Sequence, residues 1–337
     1  MEILVTGGAG FIGSHTCIEL INSGYKVIVI DNLCNSSEES LRRVEKITGY
    51  DITFYKLDIR DHAGLTKVFN KHSIEGVIHF AGLKVAGESI NKPFDYYDTN
   101  VIGTLILVKV MREFKCKSLV FSSSAAVYGN SNSVPIKENF SLSPVNPYGR
   151  TKLMVEEFLQ DFFVADDTWR IALLRYFNPI GAHESGRIGE EIKGVPNNLM
   201  PYISQVANGN LNKLKIFGGD YNTPDGTGIR DYIHVVDLAR GHINALRAIE
   251  SPQVLISNLG TGIGYSVFDM IKSFEKASGK TIPYQIVDRR AGDIASSYAD
   301  ISFSKEKLNW EAKYDLDQMC NDLWRWQSEN PKGYCRK

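Results

Sequence analysis

The chain has 337 residues, which at roughly 150 per domain predicts about two domains and length enough to bury a substantial core. Its 38 Lys+Arg and 39 Asp+Glu leave a formal net charge of -1, so it carries no broad basic field for nucleic acid or an anionic lipid surface. With 43% apolar, 23% charged and 11% aromatic residues it falls outside the disordered, fibrous and low-complexity classes.

Short β-branched runs at 3–6, 26–30, 52–55, 76–80, 118–122 and 171–175 alternate with helical stretches. That alternation predicts an α/β fold, a doubly wound parallel sheet of Rossmann type over residues 1–177. Past residue 178 the texture changes to Gly, Pro and Asn clusters such as Asp225-Gly226-Thr227-Gly228. Residues 178–337 are expected to form a smaller α/β domain over the carboxyl edge of the sheet, with strands at 215–217 and 255–259 and helices at 235–249 and 267–277. The cysteines, Cys17, Cys34, Cys116, Cys320 and Cys335, are odd in number and show no C-x-x-C pair. They suggest neither a disulfide framework nor a metal site, and read as reduced thiols. No run of about 18 apolar residues occurs, and no basic and apolar leader opens the chain, so the expected setting is the cytoplasm, away from membranes.

The first strand enters Thr6-Gly7-Gly8-Ala9-Gly10-Phe11-Ile12-Gly13 and then a helix. Strand, glycine turn and helix are the context that a dinucleotide site requires: glycines let a diphosphate approach the backbone, and the helix N-terminus offers N–H groups and a positive dipole. Asp31 ends the second strand 18 residues after Gly13. A carboxylate there can accept the ribose hydroxyls and repels a 2′-phosphate, which favours NAD over NADP. Asp58 and Ile59 follow the third strand and are placed for the adenine. Phe80, Ala81 and Gly82 follow the fourth and would line the middle of the cofactor.

Pro147-Tyr148-Gly149-Arg150-Thr151-Lys152 opens a helix, so Tyr148 and Lys152 share one face at i and i+4. A phenol near pKa 10 is a weak base at neutral pH. The Lys152 cation and a positive nicotinamide are expected to favour phenolate, allowing Tyr148 to take the proton of a substrate hydroxyl. Ser124 ends the fifth strand at the same edge and would hydrogen-bond the same oxygen.

At these motifs the chain resembles the extended short-chain dehydrogenase/reductases, and within them the UDP-glucose 4-epimerases. The strings His79-Phe80-Ala81-Gly82-Leu83-Lys84, Ser122-Ser123-Ser124-Ala125-Ala126-Val127-Tyr128-Gly129, Leu174-Arg175-Tyr176-Phe177-Asn178-Pro179 and Gly226-Thr227-Gly228-Ile229-Arg230-Asp231-Tyr232-Ile233-His234 carry the likeness. The resemblance implies that Asn32, Leu33, Cys34, Asn35, Ser36, Asn100, Ser122 and Tyr176 join the cofactor site, with Lys84 and Phe177 flanking the nicotinamide. It implies a UDP-sugar site made of Lys84, Ser124, Ala125, Ala126, Tyr148, Tyr176, Asn178, Asn197, Asn198, Leu199, Lys215, Ile216, Phe217, Arg230, Arg290, Asp293 and Ser297. Arg230 and Arg290 can neutralise a diphosphate, and Asp293 can accept from ribose hydroxyls. Thr99 departs from the Asn of some relatives, while Asn100 is kept.

The implied reaction oxidises C4 of a UDP-hexose to a 4-keto sugar, turns the ketone over and reduces its opposite face, so NAD is regenerated in each cycle. A 4,6-dehydratase starts with the same oxidation but needs an Asp-Glu pair where this chain has Ala125-Ala126. A nucleotide-sensing regulator on this fold would lack Tyr148 or Lys152, and both are present. Where relatives restricted to UDP-glucose and UDP-galactose carry a Tyr, this chain has Ser297, so UDP-N-acetylhexosamines are expected to be accepted as well. The apolar helices at 101–111 and 153–163 suggest a homodimer built on a four-helix contact. No metal is expected.

Overall fold

In chain order the strands and helices begin β1 (Glu2–Thr6), α1 (Phe11–Asn22), β2 (Lys26–Asp31), α2 (Glu38–Thr48), β3 (Thr53–Lys56), α3 (His62–Lys71) and β4 (Ile74–His79). Short helices α4 (Ala86–Asn91) and α5 (Pro93–Tyr96) lead through a π-helical turn, Tyr97–Ile102, into α6 (Gly103–Glu113) and β5 (Ser118–Ser122). A 3-10 turn, Ala125–Tyr128, precedes α7 (Pro147–Ala165) and β6 (Arg170–Tyr176). Beyond them come β7 (Asn178–Ile180), α8 (Leu199–Ala207), β8 (Leu214–Phe217), β9 (Ile229–His234), α9 (Val235–Ala248), β10 (Gln253–Leu259) and β11 (Gly264–Ser266). The remainder is α10 (Val267–Ser278), β12 (Tyr284–Val287), β13 (Ser296–Ser297), α11 (Ser302–Leu308) and α12 (Leu316–Glu329). The computed structural model describes residues 1–131, 133–191, 194, 196, 198–290 and 292–334.

Among the described residues seven strands form one parallel sheet in the order β3-β2-β1-β4-β5-β6-β10. The central strands are apolar and buried along their length, as helices on both faces require. The order reverses between β1 and β4, which opens a crevice at the carboxyl ends of the strands. The run at 255–259, expected in the smaller unit, is instead the edge of this sheet: β10 pairs with β6 from Gln253↔Arg170 to Leu259↔Tyr176, and α9 packs on α1. Leu255 and Leu259 are buried there, and in-register pairing with β6 satisfies backbone groups that a solvent edge would leave open.

A second sheet is centred on β9, which pairs with β11, β13 and β7. In-register neighbours share a face, so Ser297 beside Arg230, and Asn178 beside Tyr232, all project to one side. The expected helix at 101–111 begins later, at Gly103, because the preceding residues take the π-helical turn. Asn100 in that turn holds the Leu83 backbone with Oδ1 at 2.7 Å from N and Nδ2 at 3.0 Å from O. Such a turn inside a helix commonly marks a functional position.

One buried ion pair ties the elements under the crevice together. Arg175 on β6 donates to Glu156 on α7, with Nη2 2.6 Å from Oε2 and Nε 3.0 Å from Oε1, and both side chains lie inside the protein. Glu156 also accepts from the Ser123 hydroxyl, and Arg175 reaches the Tyr128 hydroxyl at 3.1 Å. Arg175→Met strands the Glu156 carboxylate without its cation, and urea unfolding should register a loss of about 3–5 kcal/mol. The double variant Arg175→Met/Glu156→Leu should recover most of that loss; a single variant as stable as wild type would contradict the role of the pair.

Candidate active site

The glycine turn is built to pass close to other backbone. Gly7 has φ +70°, and a Cβ there would lie 2.8 Å from the Ala81 nitrogen. A Cβ on Gly13 would lie 2.3 Å from the Gly7 carbonyl oxygen, so the turn and the first coil of α1 close up only with glycine at both places. Gly10 caps α1 with no side-chain hydrogen bond, leaving the first N–H groups of the helix, from Phe11 through Gly13, without an intrahelical acceptor. Asp31 sits at the mouth of this turn. Its Oδ2 accepts from Ala9 N at 3.1 Å, and its Oδ1 from Leu33 N at 2.9 Å and Ser36 Oγ at 2.7 Å. A bare cradle of N–H groups with a carboxylate beside it fits a dinucleotide diphosphate and the adjoining ribose.

Other expected cofactor residues border the same crevice in different ways. Asn32 bridges the Cys34 nitrogen and Asp58, and Cys34 and Asn35 are exposed. Asp58 is committed to the chain: it accepts from Arg60 at N, Nε and Nη2, and from Asn32 Nδ2. The Arg60 guanidinium holds the Asp58 carboxyl well below the usual carboxylate range. Those four bonds use the acceptor capacity of a carboxylate, so the side chain expected at the adenine has no free acceptor. Ile59 is buried against the place where a Cβ of Gly103 would lie. The Phe80 ring lies 4.7 Å from that of His242 at an interplanar angle of 52°, Ala81 donates to Thr6, and a Cβ on Gly82 would meet Asn100 Oδ1 at 2.9 Å. The Tyr176 hydroxyl bonds Ser122, and Phe177 is buried beside it.

The catalytic group comes together where β5 meets α7. Asn146 caps α7 by accepting from Gly149 N at 2.9 Å, and Pro147 occupies the first turn. Gly149 is needed because the Ala126 carbonyl oxygen would lie 2.8 Å from a Cβ. This contact lays the Ala125–Tyr128 turn, capped by Ser124, against the start of α7. The Ser124 hydroxyl is thereby brought near the Tyr148 phenol, where it opposes the rise in pKa that burial causes. Lys152 is 5% exposed and donates to the Ser122 carbonyl at 2.7 Å, with its ammonium 4.9 Å from the Phe121 ring centre and 5.9 Å from that of Tyr148.

Two lysine charges lie near the phenol, Lys152 on the same helix with its ammonium 5.9 Å from the ring centre and Lys84 from the segment after β4. Burial pushes Tyr148 above its ordinary value; the Ser124 hydroxyl and the charge of Lys84 oppose that rise. Lys152 has turned to the Ser122 carbonyl, and burial lowers its own pKa to about 8. Lys84 donates to Glu190 at 2.8 Å, a partner with no signal in the sequence because it lies 106 residues away.

The C-terminal elements gather cations and aromatic rings. Arg290 lies 4.7 Å over Phe217 and bonds Asp293 at 2.9 Å. Arg230 and Arg290 both act on the buried Tyr232, a neighbour that sequence reasoning missed although it stands two residues after Arg230. Asn178 donates to the Asp231 carbonyl, Asn198 caps α8 at Leu199, and Lys215 and Ile216 lie on β8 before Phe217. Ala125 and Ala126 lie in the 3-10 turn, and Asn197 lies outside the described residues.

Comparison with known proteins agrees with this geometry. The family model for GDP-mannose 4,6 dehydratase matches residues 4–323. The chain is 58% identical to the UDP-glucose 4-epimerase of Bacillus subtilis (strain 168), over 99% of each chain. The chain belongs to the UDP-glucose 4-epimerase family. It superposes on a Bifidobacterium longum UDP-glucose 4-epimerase, solved in complex with NAD+ and UDP, with TM-score 0.96 at 53% identity, covering 99% of this chain and 100% of that one. The UDP-Glc/GlcNAc 4-epimerase of Campylobacter jejuni matches at TM-score 0.86 and 34% identity, covering 97% and 99%.

In this epimerase-family site the buried lysine has a measurable signature. A folded value of about 8 against an ordinary 10.5 means that between those pH values the unfolded lysine holds a proton the folded one has released. Stability from this group therefore rises with pH across that window, and below about pH 8 the full cost of burying the ammonium remains. Urea unfolding at pH 7 and pH 10 should show this gain in the wild type relative to Lys152→Met. Parallel pH dependences in the two proteins would rule it out.

Proposed function

We propose that this chain is an NAD-dependent 4-epimerase of UDP-hexoses, interconverting UDP-glucose and UDP-galactose. The observation that carries the reading is the placement of Tyr148 in the first turn of α7 with the Ser124 hydroxyl acting on its phenol, while Arg230 and Arg290 gather about Tyr232 in the C-terminal elements. NAD, when bound, supplies hydride acceptance from C4 and its return to the other face. Tyr148 takes and gives back the proton of the C4 hydroxyl, and Ser124 fixes that oxygen by hydrogen bonding. Lys152 holds the end of β5 against α7. Arg230 and Arg290 neutralise the diphosphate, and Asp293 accepts from the uridine ribose. Anchoring UDP while leaving the hexose loosely held is what permits the sugar to present either face.

The finer reading extends the substrate to UDP-N-acetylglucosamine and UDP-N-acetylgalactosamine. Its support is Ser297 on β13, in register with Arg230 and on the same face. The neighbouring Tyr298 turns to the other face, where a Cβ on Gly264 would lie 3.0 Å from its ring, so it does not fill the space beside Ser297. Tyr148→Phe should lower kcat about 10²–10⁴-fold with UDP affinity kept. Ser297→Tyr should abolish turnover of the N-acetylated sugars and spare UDP-glucose. NMR of the reaction mixtures reads both; a wild type inert toward the N-acetylated pair would refute the finer reading.

The same proposal includes a homodimer in the cytoplasm. Its support is a cluster of exposed apolar side chains on α5, the π-helical turn, α6 and α7, led by Phe94 at 80% exposure with Ile102, Leu105 and Met154. Among the described residues no helix is long and apolar enough to cross a membrane. Sedimentation should show a dimer that Leu105→Glu converts to monomer; a monomeric wild type would count against it.

A further inference from the structure

We propose that Arg289 is a positioning residue for the substrate: it locks the segment that carries Arg290 and Asp293 against the loop that follows β8. This rests on the reading of Arg290 and Asp293 as UDP contacts. The strands that lead into this region, β8 and β12, pair in register only as far as Val287↔Phe217. One more backbone bond, from Gly218 N to the Val287 carbonyl at 2.8 Å, closes the ladder. Among the described residues no backbone hydrogen bond joins 219–227 to 288–290 beyond that point. The backbone that presents Arg290 therefore leaves β12 with no ladder to hold it.

The Arg289 side chain supplies the missing tie. Its Nε donates to Asp220 Oδ1 at 2.7 Å and its Nη2 to the Asp220 carbonyl at 2.6 Å, while the guanidinium carbon lies 4.1 Å from the centre of the buried Tyr221 ring. Gly218 makes room for this contact, since a Cβ there would lie 2.9 Å from Arg289 Cγ and 2.5 Å from the Tyr221 ring. The platform is tied down in its turn. Tyr221 N donates to the Gly226 carbonyl at 2.9 Å, Thr223 Oγ1 to the Thr227 carbonyl at 2.7 Å, and Val267 N at the start of α10 to Thr227 Oγ1 at 3.1 Å.

The next residue, Arg290, lies 4.7 Å over Phe217 and bonds Asp293 at 2.9 Å. Consecutive guanidiniums thus rest on the rings of Phe217 and Tyr221 in one segment, and lifting Arg289 moves the backbone that aims Arg290. The Arg289 side chain is 46% exposed and that of Asp220 75%, so their ion pair alone is weak. Direction comes from a planar fork meeting two acceptors of one residue while its face lies on a buried ring. A lysine carries the same charge and reproduces neither feature. Charge and clamp are therefore separable: a charge acting at a distance on the diphosphate survives Arg289→Lys and gains from removal of the Asp220 carboxylate, whereas a clamp is weakened by both.

The test is calorimetric titration of UDP into the NAD-loaded enzyme, with KM and kcat for UDP-glucose measured beside it. Arg289→Met should weaken UDP binding about 3–10-fold, the range expected for one exposed ion pair and one cation–π contact. KM should rise in step, with kcat at saturation within about twofold of wild type, as loss of uniform binding requires. Arg289→Lys should lose most of the same affinity, and Asp220→Ala should weaken UDP binding too. The double variant Arg289→Met/Asp220→Ala should bind no worse than Arg289→Met alone, because Asp220 acts through Arg289. Wild-type affinity in Arg289→Lys, tighter binding in Asp220→Ala or losses that add in the double variant overturn the proposal, as does a fall in kcat with KM unchanged. Should Arg289→Met fail to fold, the lysine and Asp220→Ala variants still decide. A UDP affinity that Arg290→Met leaves at the wild-type value is a separate failure, that of the UDP site itself.

Discussion

Lys152 is a cation placed inside the protein, and the shape of the catalytic edge follows from how its ammonium is satisfied. Its Nζ reaches the Ser122 carbonyl at 2.7 Å, so the end of β5 and the first turns of α7 must stay in contact. With them go the Ser122-Ser123-Ser124 run and the phenol one helical turn before the lysine. Burial disfavours the charge and brings the lysine to about 8, a cost that only a close, fixed acceptor and the facing rings offset. The Arg175–Glu156 pair, with Ser123 as a third member, holds the layer beneath. Reactive groups on this edge are accordingly mounted on strand ends and a helix start rather than on free loops, which suits chemistry that depends on geometry.

The division of labour across the crevice follows the fold. The first half of the sheet offers backbone: a glycine turn, a bare helix N-terminus and a carboxylate at the end of β2. The C-terminal elements offer side chains, with Arg230 and Ser297 brought level by the register of β9 and β13 and Arg290 stacked over Phe217. Lys84 and Glu190 cross between the two halves. The contact runs from a segment that follows β4 to one that packs on α12, so the catalytic edge and the C-terminal helix are mechanically connected.

Polar groups in a folded chain find partners inside it, and the residues of this crevice are tied to the chain in that way. Asp58 accepts from Arg60 and Asn32, and Asp31 is fixed at the mouth of the glycine turn by Ala9, Leu33 and Ser36. Lys152 gives one of its N–H groups to the Ser122 carbonyl, and Lys84 adds a second positive charge near Tyr148. Spacing in sequence establishes that two side chains share a helix face; it does not say which of several nearby acceptors an ammonium takes.

The sequence alone determined what depends on neighbours within a few residues. The glycine turn between strand and helix, the start of α7 at Asn146-Pro147 and the i, i+4 placement of Tyr148 and Lys152 are set by local sterics, caps and helical period, and the alternating apolar runs determined the parallel sheet. Tertiary structure decided what depends on register and on distant segments. It put β10 at the edge of the first sheet, turned Tyr298 away from the face that Ser297 shares with Arg230, and paired Lys84 with a glutamate 106 residues away. No pattern in the chain encodes such a pair, because its partners meet only after both halves have folded and closed on the same crevice.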